Sequence, residues 1–194
     1  MEWIDDVKAY ASKYVKLDDR ELAFFIGMFE LRRFEKRKML ITEGEVEKHL
    51  NFVIKGLAIK FFRGKKDRVV TQLARENDLI SCYDSFLSGR PSNSAVETLE
   101  PTTVVSLTKE NVDRLYDYSP KMERLGRMIT TDQFLRWGEF EYDRLRLRSS
   151  DRFVNFVRGN ADLMQRVPQK YLSSYLNMKP ETFRRLKHLI KPPL

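Results

Sequence analysis

The sequence is poor in the residues that most catalytic and metal sites need. One cysteine, Cys82, and two histidines, His49 and His188, occur in 194 residues. A single cysteine excludes an internal disulfide and any all-cysteine metal cluster within one chain, and it favours a reducing cytoplasm. No pairing of cysteine with histidine offers a nucleophile and its base. No glycine-rich loop of the phosphate-binding kind is present. The acidic run Glu43-Gly44-Glu45-Val46-Glu47 lacks the ligand pattern of a calcium loop. No apolar run approaches a membrane span, and the opening MEWIDDVKAY lacks the basic and apolar regions of a signal peptide. These absences predict a cytoplasmic protein that is not an enzyme, with no metal and no membrane partner.

What the chain does have is basic charge, and it is unevenly placed. The formal net charge is +8. From Arg144 to Leu194 there are 12 Lys and Arg against 3 Asp and Glu, which leaves 24 and 25 in the first 143 residues. Charge confined to one terminal unit points to a polyanionic partner.

That unit contains VPQKYLSSYLNMKPETFRRLKHLI, residues 167–190, which reads as two short helices around a tight turn. Pro168 suits the first turn of the first helix. Tyr171, Leu172, Tyr175 and Leu176 give that helix an apolar side, and the small Ser173 lets a second helix cross close by. Asn177 tolerates the left-handed backbone that ends a helix. Pro180 opens the second helix, and Glu181 suits its positive end. Phe183, Leu186, Leu189 and Ile190 recur at helical spacing and should face the core. Glu181, Arg184, Arg185 and His188 fall on the opposite face. A helix that is apolar behind and cationic in front suits a DNA major groove. Glu181 and Arg185, four residues apart, can also brace each other when DNA is absent. Lys170 and Lys179 are candidate phosphate contacts, and Thr182 lies beside them.

Upstream, residues 1–29 read as helical. From about Glu30 to Thr108 the pattern changes to short strands with turns at Glu43-Gly44-Glu45 and at residues 63–67, which predicts a small antiparallel roll. The stretch after Asp78 contains a loop rich in Ser, Gly, Pro and Asn, and His49 falls in an expected turn. Lys109 to Tyr118 reads as a short helix. A longer helix, Pro120 to Arg148, carries Met128, Thr131, Leu135, Gly138, Tyr142 and Leu145 at alternating spacings of three and four. That seam calls for a second chain, so a homodimer is expected. Phe134 and Trp137 form a second stripe, expected to rest on the roll.

This order of pieces resembles the CRP/FNR family of bacterial transcription regulators over nearly the whole chain. The matching residues are Glu43-Gly44 with Phe52-Val53-Ile54-Lys55-Gly56, then Asp78-Leu79-Ile80, and most specifically Val167-Pro168 through Pro180-Glu181-Thr182 to Arg185. The resemblance implies an α+β protein. Its parts would be a cyclic-nucleotide-binding-like effector domain (1–118), an antiparallel β-roll with flanking helices; a dimerisation helix (119–148); and a C-terminal winged-helix-like helix-turn-helix domain (149–194). It implies double-stranded DNA and RNA polymerase as partners, with Glu181 and Arg185 touching base edges. The effector pocket would involve Ser81, Cys82, Tyr83, Asn93 and Ser94. Here the chain departs from the family. Ser81-Cys82 and Asn93-Ser94 stand where cyclic-nucleotide binders carry Gly-Glu and Arg-Ser/Thr, so cyclic AMP should bind weakly or not at all, and no cofactor is expected. The iron–sulfur cysteines of the oxygen-sensing members are absent. The β hairpins that flank the motif in longer members are reduced or missing, and Lys179 replaces the usual capping Ser or Thr.

Overall fold

Glycine and turns cut the strand-forming residues into short pieces, and this cutting sets the architecture. The computed structural model describes residues 2–65 and 67–187. Two helices come first, α1 (Glu2–Ser12) and α2 (Asp19–Gly27). Then come β1 (Glu30–Phe34), β2 (Met39–Ile41), β3 (His49–Lys55), β4 (Ala58–Arg63), β5 (Arg68–Ala74) and β6 (Leu79–Ile80). A short helix, α3 (Tyr83–Ser88), precedes β7 (Ala95–Thr98) and β8 (Thr102–Thr108). The strands form two four-stranded antiparallel sheets, ordered β1-β8-β3-β6 and β2-β7-β4-β5.

Gly56 divides NFVIKGLAIKFF into β3 and β4. Its φ is +105°, and a Cβ there would lie 2.6 Å from the Pro101 carbonyl oxygen. Both conformation and space therefore demand glycine. Between the sheets, Ile41, Val53, Ala58, Ala74, Ile80, Cys82, Val96 and Val104 form the interior of the roll.

Helices cover both outer faces. Val7 and Ala11 of α1 and Phe25 of α2 pack on Phe52 and Val105, together with Leu115 of α4 (Lys109–Tyr118) and Met122 and Leu125 of α5 (Pro120–Arg146). Asp18 caps α2 in a reciprocal box with Glu21, and Glu21 reaches Lys121 of α5 at 2.8 Å. The other sheet is covered by α6 (Ser149–Gly159), α7 (Leu163–Arg166), α8 (Gln169–Tyr175) and α9 (Pro180–Leu186). Phe153, Leu163, Val167, Leu172, Leu176 and Phe183 form one continuous core with Leu57, Ile59, Phe61 and Val70 of the roll.

The structure corrects several expectations. His49 begins β3 rather than sitting in a turn, and the loop rich in Ser, Gly, Pro and Asn, residues 89–94, lies between a short helix, α3, and β7. The central helix ends at Arg146, because Leu147 is extended. Pro168 stands just before α8 rather than in its first turn. Among the described residues no strand follows β8, so the winged part of the expected C-terminal domain is absent there; the residues between α6 and α8 hold a turn of helix, α7, instead of a hairpin. Phe134 and Trp137 do not rest on the roll: they are 67% and 61% exposed and lean on each other at 6.5 Å. Met122 and Leu125 occupy the roll-facing side of α5 instead.

Candidate nucleic-acid interface and roll interior

The turn between α8 and α9 is closed by its own backbone. Asn177 has φ +50°, its N–H donates to the Ser174 carbonyl, and the Met178 N–H donates to the Ser173 carbonyl, each at 3.0 Å. This is the double hydrogen bond of a helix that ends in a left-handed residue. Ser173 is buried and its hydroxyl turns back to the Lys170 carbonyl at 3.0 Å, which leaves room for α9. Pro180 then opens α9 at a position where its missing N–H costs nothing.

Phe183 anchors α9, fully buried and edge-on to Phe153 at 5.3 Å. The sides away from Phe183 present Glu181, Arg184 and Arg185, all exposed, and Lys187 just past the helix end is exposed too. Glu181, Thr182, Arg184 and Arg185 line one open concavity of about 340 Å³. Lys170 and Lys179 are exposed nearby in sequence; Lys170 lies over the Tyr171 ring at 4.7 Å, and Lys179 makes no capping bond. His188, with Leu189 and Ile190, lies outside the described residues. Among the described residues no ion pair joins Glu181 to Arg185, so the expected bracing is not formed.

Several basic residues of the terminal unit are engaged within the fold instead of facing solvent. Arg166 Nη2 reaches Glu100 at 2.8 Å, Glu76 at 2.9 Å and the Gly56 carbonyl at 3.1 Å. This contact holds the Glu76 carboxyl at about 2, far below the ordinary carboxylate range. Arg75 pairs with Asp162. Ser174 Oγ accepts from the Val70 N–H at 2.9 Å and donates to the Arg68 carbonyl at 3.1 Å, so α8 closes the free edge of β5. Arg152 makes no carboxylate contact among the described residues. It donates to the Arg144 and Leu147 carbonyls at the end of α5 and to the Leu176 and Asn177 carbonyls at the end of α8. Sequence reading counted these arginines only as charge. Their partners lie up to 110 positions away, and no periodicity reports such distances.

The central helix has two characters. Its first turns are buried through Met122 and Leu125. Further along, Phe134, Leu135, Trp137, Tyr142 and Leu145 are 59–77% exposed. Met128 and Gly138 of the predicted seam are half-buried, and nothing lies within 4 Å of a Cβ built on Gly138.

The predicted pocket residues have separate places. Ser81 and Cys82 are fully buried, Tyr83 and Ser94 are half-buried, and Asn93 is exposed. Ser81 Oγ accepts from the Asn51 backbone at 3.0 Å. Cys82 Sγ meets the Ser94 carbonyl at 3.5 Å, and burial pushes the thiol pKa up, away from the reactive thiolate. Glu47, which the sequence shows only as part of an acidic run, is buried. Its carboxylate accepts from the His49 and Cys82 N–H groups at 3.1 and 3.2 Å, while burial raises its pKa. A groove of about 540 Å³, lined by Val46 to His49, Phe86 to Gly89 and Thr108 to Glu110, contains none of the five predicted residues. Among the described residues no cluster of His, Cys, Asp and Glu is placed to hold a metal ion, and no helix is long and apolar enough to cross a membrane.

No protein-family model matches the chain, and no curated protein matches it. Solved structures do. The c-di-GMP-responsive global regulator CLP of Xanthomonas campestris is 17% identical with a TM-score of 0.67, over 89% of this chain and 91% of that one. FixK2 of Bradyrhizobium japonicum is 14% identical with a TM-score of 0.69, over 83% of each. The catabolite activator protein of Thermus thermophilus is 18% identical with a TM-score of 0.56, over 89% and 83%. This chain shares their fold over those parts of its length.

Proposed function

We propose that the chain is a dimeric, sequence-specific DNA-binding regulator of transcription of the CRP/FNR type, with the roll as its effector domain. One observation carries the reading: α9 buries Phe183 completely and presents Glu181, Arg184 and Arg185 to solvent. Such a helix fits a major groove, where Arg pairs bidentately with guanine and Glu accepts from a cytosine amine. Similarity in fold to CLP and to a catabolite activator protein supports it. The exposed apolar stretch of α5, Phe134 to Leu145, supports a second copy as its cover. Two copies of α9 would then enter successive major grooves about 34 Å apart on a roughly palindromic site.

Selection of bound genomic fragments supplies the site for the test. Arg185→Ala should cost roughly 1–3 kcal/mol on that site and relax preference at one base pair. Lys170→Ala or Lys179→Ala should weaken selected and scrambled duplexes alike and flatten the dependence on salt. Equal loss on both duplexes for Arg185→Ala would make it a backbone contact. For the dimer, Leu135→Glu with Leu145→Glu should convert a dimer to monomers in sedimentation; a monomeric parent protein refutes it.

A second reading is favoured by the bonds that tie α7 and α8 to the roll through Arg166, Arg75 and Ser174. In it the C-terminal helices are a fixed cover of a ligand-sensing or protein-interaction module that has lost DNA reading. Retention on immobilised DNA that falls steeply with salt separates the two.

A further inference from the structure

Strand β4 breaks its own pattern at Lys60. Ile59 and Phe61 point to the outer core under the C-terminal helices, and Ala58 points to the interior of the roll. Alternation gives Lys60 the interior side too, and its register partner on β7 is Val96, a fully buried interior residue. An ammonium has three N–H donors. In the structure the Lys60 Nζ makes one long hydrogen bond, 3.4 Å to the Ser81 carbonyl, and lies 5.3 Å above the Tyr83 ring. Among the described residues no carboxylate stands within ion-pair distance of it. The nearby buried carboxylate, Glu47, is engaged on both oxygens by the backbone of His49 and Cys82.

Tyr83 has the matching shortage. Its hydroxyl is buried and has no hydrogen-bond partner among the described residues. A buried polar group without a partner is rare and costs stability, and here one lies beside an ammonium with a single long hydrogen bond. Both lack the same thing, an acceptor. The roll interior, Ile80, Cys82, Val96 and Val104 among it, is apolar.

We infer that the roll binds a small organic anion, with the Lys60 ammonium and the Tyr83 hydroxyl donating to its oxygens and its apolar body lying against the interior walls. The inference rests on reading the roll as an effector domain and names the ligand class. The anionic end is a carboxylate or a phosphoryl group. The cation comes from β4 rather than from the loop after α3, where Asn93 is neutral and exposed. Burial holds Lys60 below the ordinary lysine range, and an anion beside it would raise it again.

The test uses the full chain with straight-chain carboxylates from acetate to octanoate, the alcohols of equal length, and inorganic phosphate. Binding is read by calorimetry and by the shift in unfolding temperature. One or more carboxylates, or phosphate, should bind; alcohols should not. Lys60→Met should weaken that binding at least tenfold, and Tyr83→Phe should weaken it less. Unliganded Lys60→Met should be at least as stable as the parent, because it removes a poorly satisfied buried charge. Response to phosphate alone assigns a phosphoryl ligand; response to carboxylates alone assigns a carboxylate. Equal binding of alcohols, binding unchanged by Lys60→Met, or no binding by any probe overturns the inference. DNA retention is measured on the same samples. Retention without anion binding refutes the anion site alone, and anion binding that leaves DNA retention unchanged keeps the site but refutes the effector role.

Discussion

The two faces of the roll carry covers of different make. On the β1-β8-β3-β6 sheet, α1, α2, α4 and α5 meet the strands through Val7, Ala11, Phe25, Leu115 and Met122, and the nearby ion pair, Glu21 with Lys121, joins helix to helix. On the β2-β7-β4-β5 sheet, an aromatic core is supplemented by ion pairs that cross from the C-terminal helices to the roll itself, Arg166 to Glu76 and Glu100, and Arg75 to Asp162. Apolar contact has no direction and does not titrate. Charged contact is directional and titrates, so the C-terminal cover is the one whose attachment to the roll solution conditions can weaken.

The largest effect should come from Phe183→Ala, roughly 3–5 kcal/mol from a fully buried phenyl ring. Hydrogen exchange should show α6 to α9 opening while α1 and α2 keep their protection. If both covers loosen together, they are one cooperative unit and the contrast fails. Arg166→Met should cost about 2 kcal/mol, since it strands two carboxylates. Its loss of protection should again be confined to the C-terminal side. The smallest effect is on acidification. The Glu76 carboxyl lies at about 2, below its ordinary 4.5, because Arg166 holds it. A depressed folded pKa contributes stability that is present above about pH 4.5 and is lost as pH falls through about 2. Exchange from α8 amides should therefore speed up over that window in the parent and change less in Arg166→Met.

Local chemistry explains what was legible in the sequence. The α8–turn–α9 unit was readable because Asn177, Pro180, Leu172 and Phe183 each state a local requirement of backbone or face. The break at Gly56 was visible as a glycine among strand formers, though only the approach of Pro101 shows why no other residue fits. Helix α3 was hidden, since Ser, Gly and Pro around a short helix look like loop. Phe134 and Trp137 were misplaced because periodicity identifies an apolar stripe but not what lies against it. Glu47, Arg152 and Arg166 were silent. Their roles depend on partners brought together by the fold, and a charged residue in a charged stretch carries no sign that it will be turned inward. Lys60 did leave a sign, a cation at an interior parity in β4, which a strict count of alternation would have found.

Arg152 sets the kind of movement open to the C-terminal helices. Its acceptors at Arg144, Leu147, Leu176 and Asn177 are peptide carbonyls, which neither ionise nor exchange counterions. Acid or salt that loosens the grip of Arg166 leaves this joint closed. Were the apolar core beneath them to open as well, the helices would leave the roll as one piece, pinned at Leu147 to the end of α5, like a door that leaves its latch and stays on its hinge. Each α9 would keep its place among α6, α7 and α8, and its bearing on α5 would follow from the angle of the hinge.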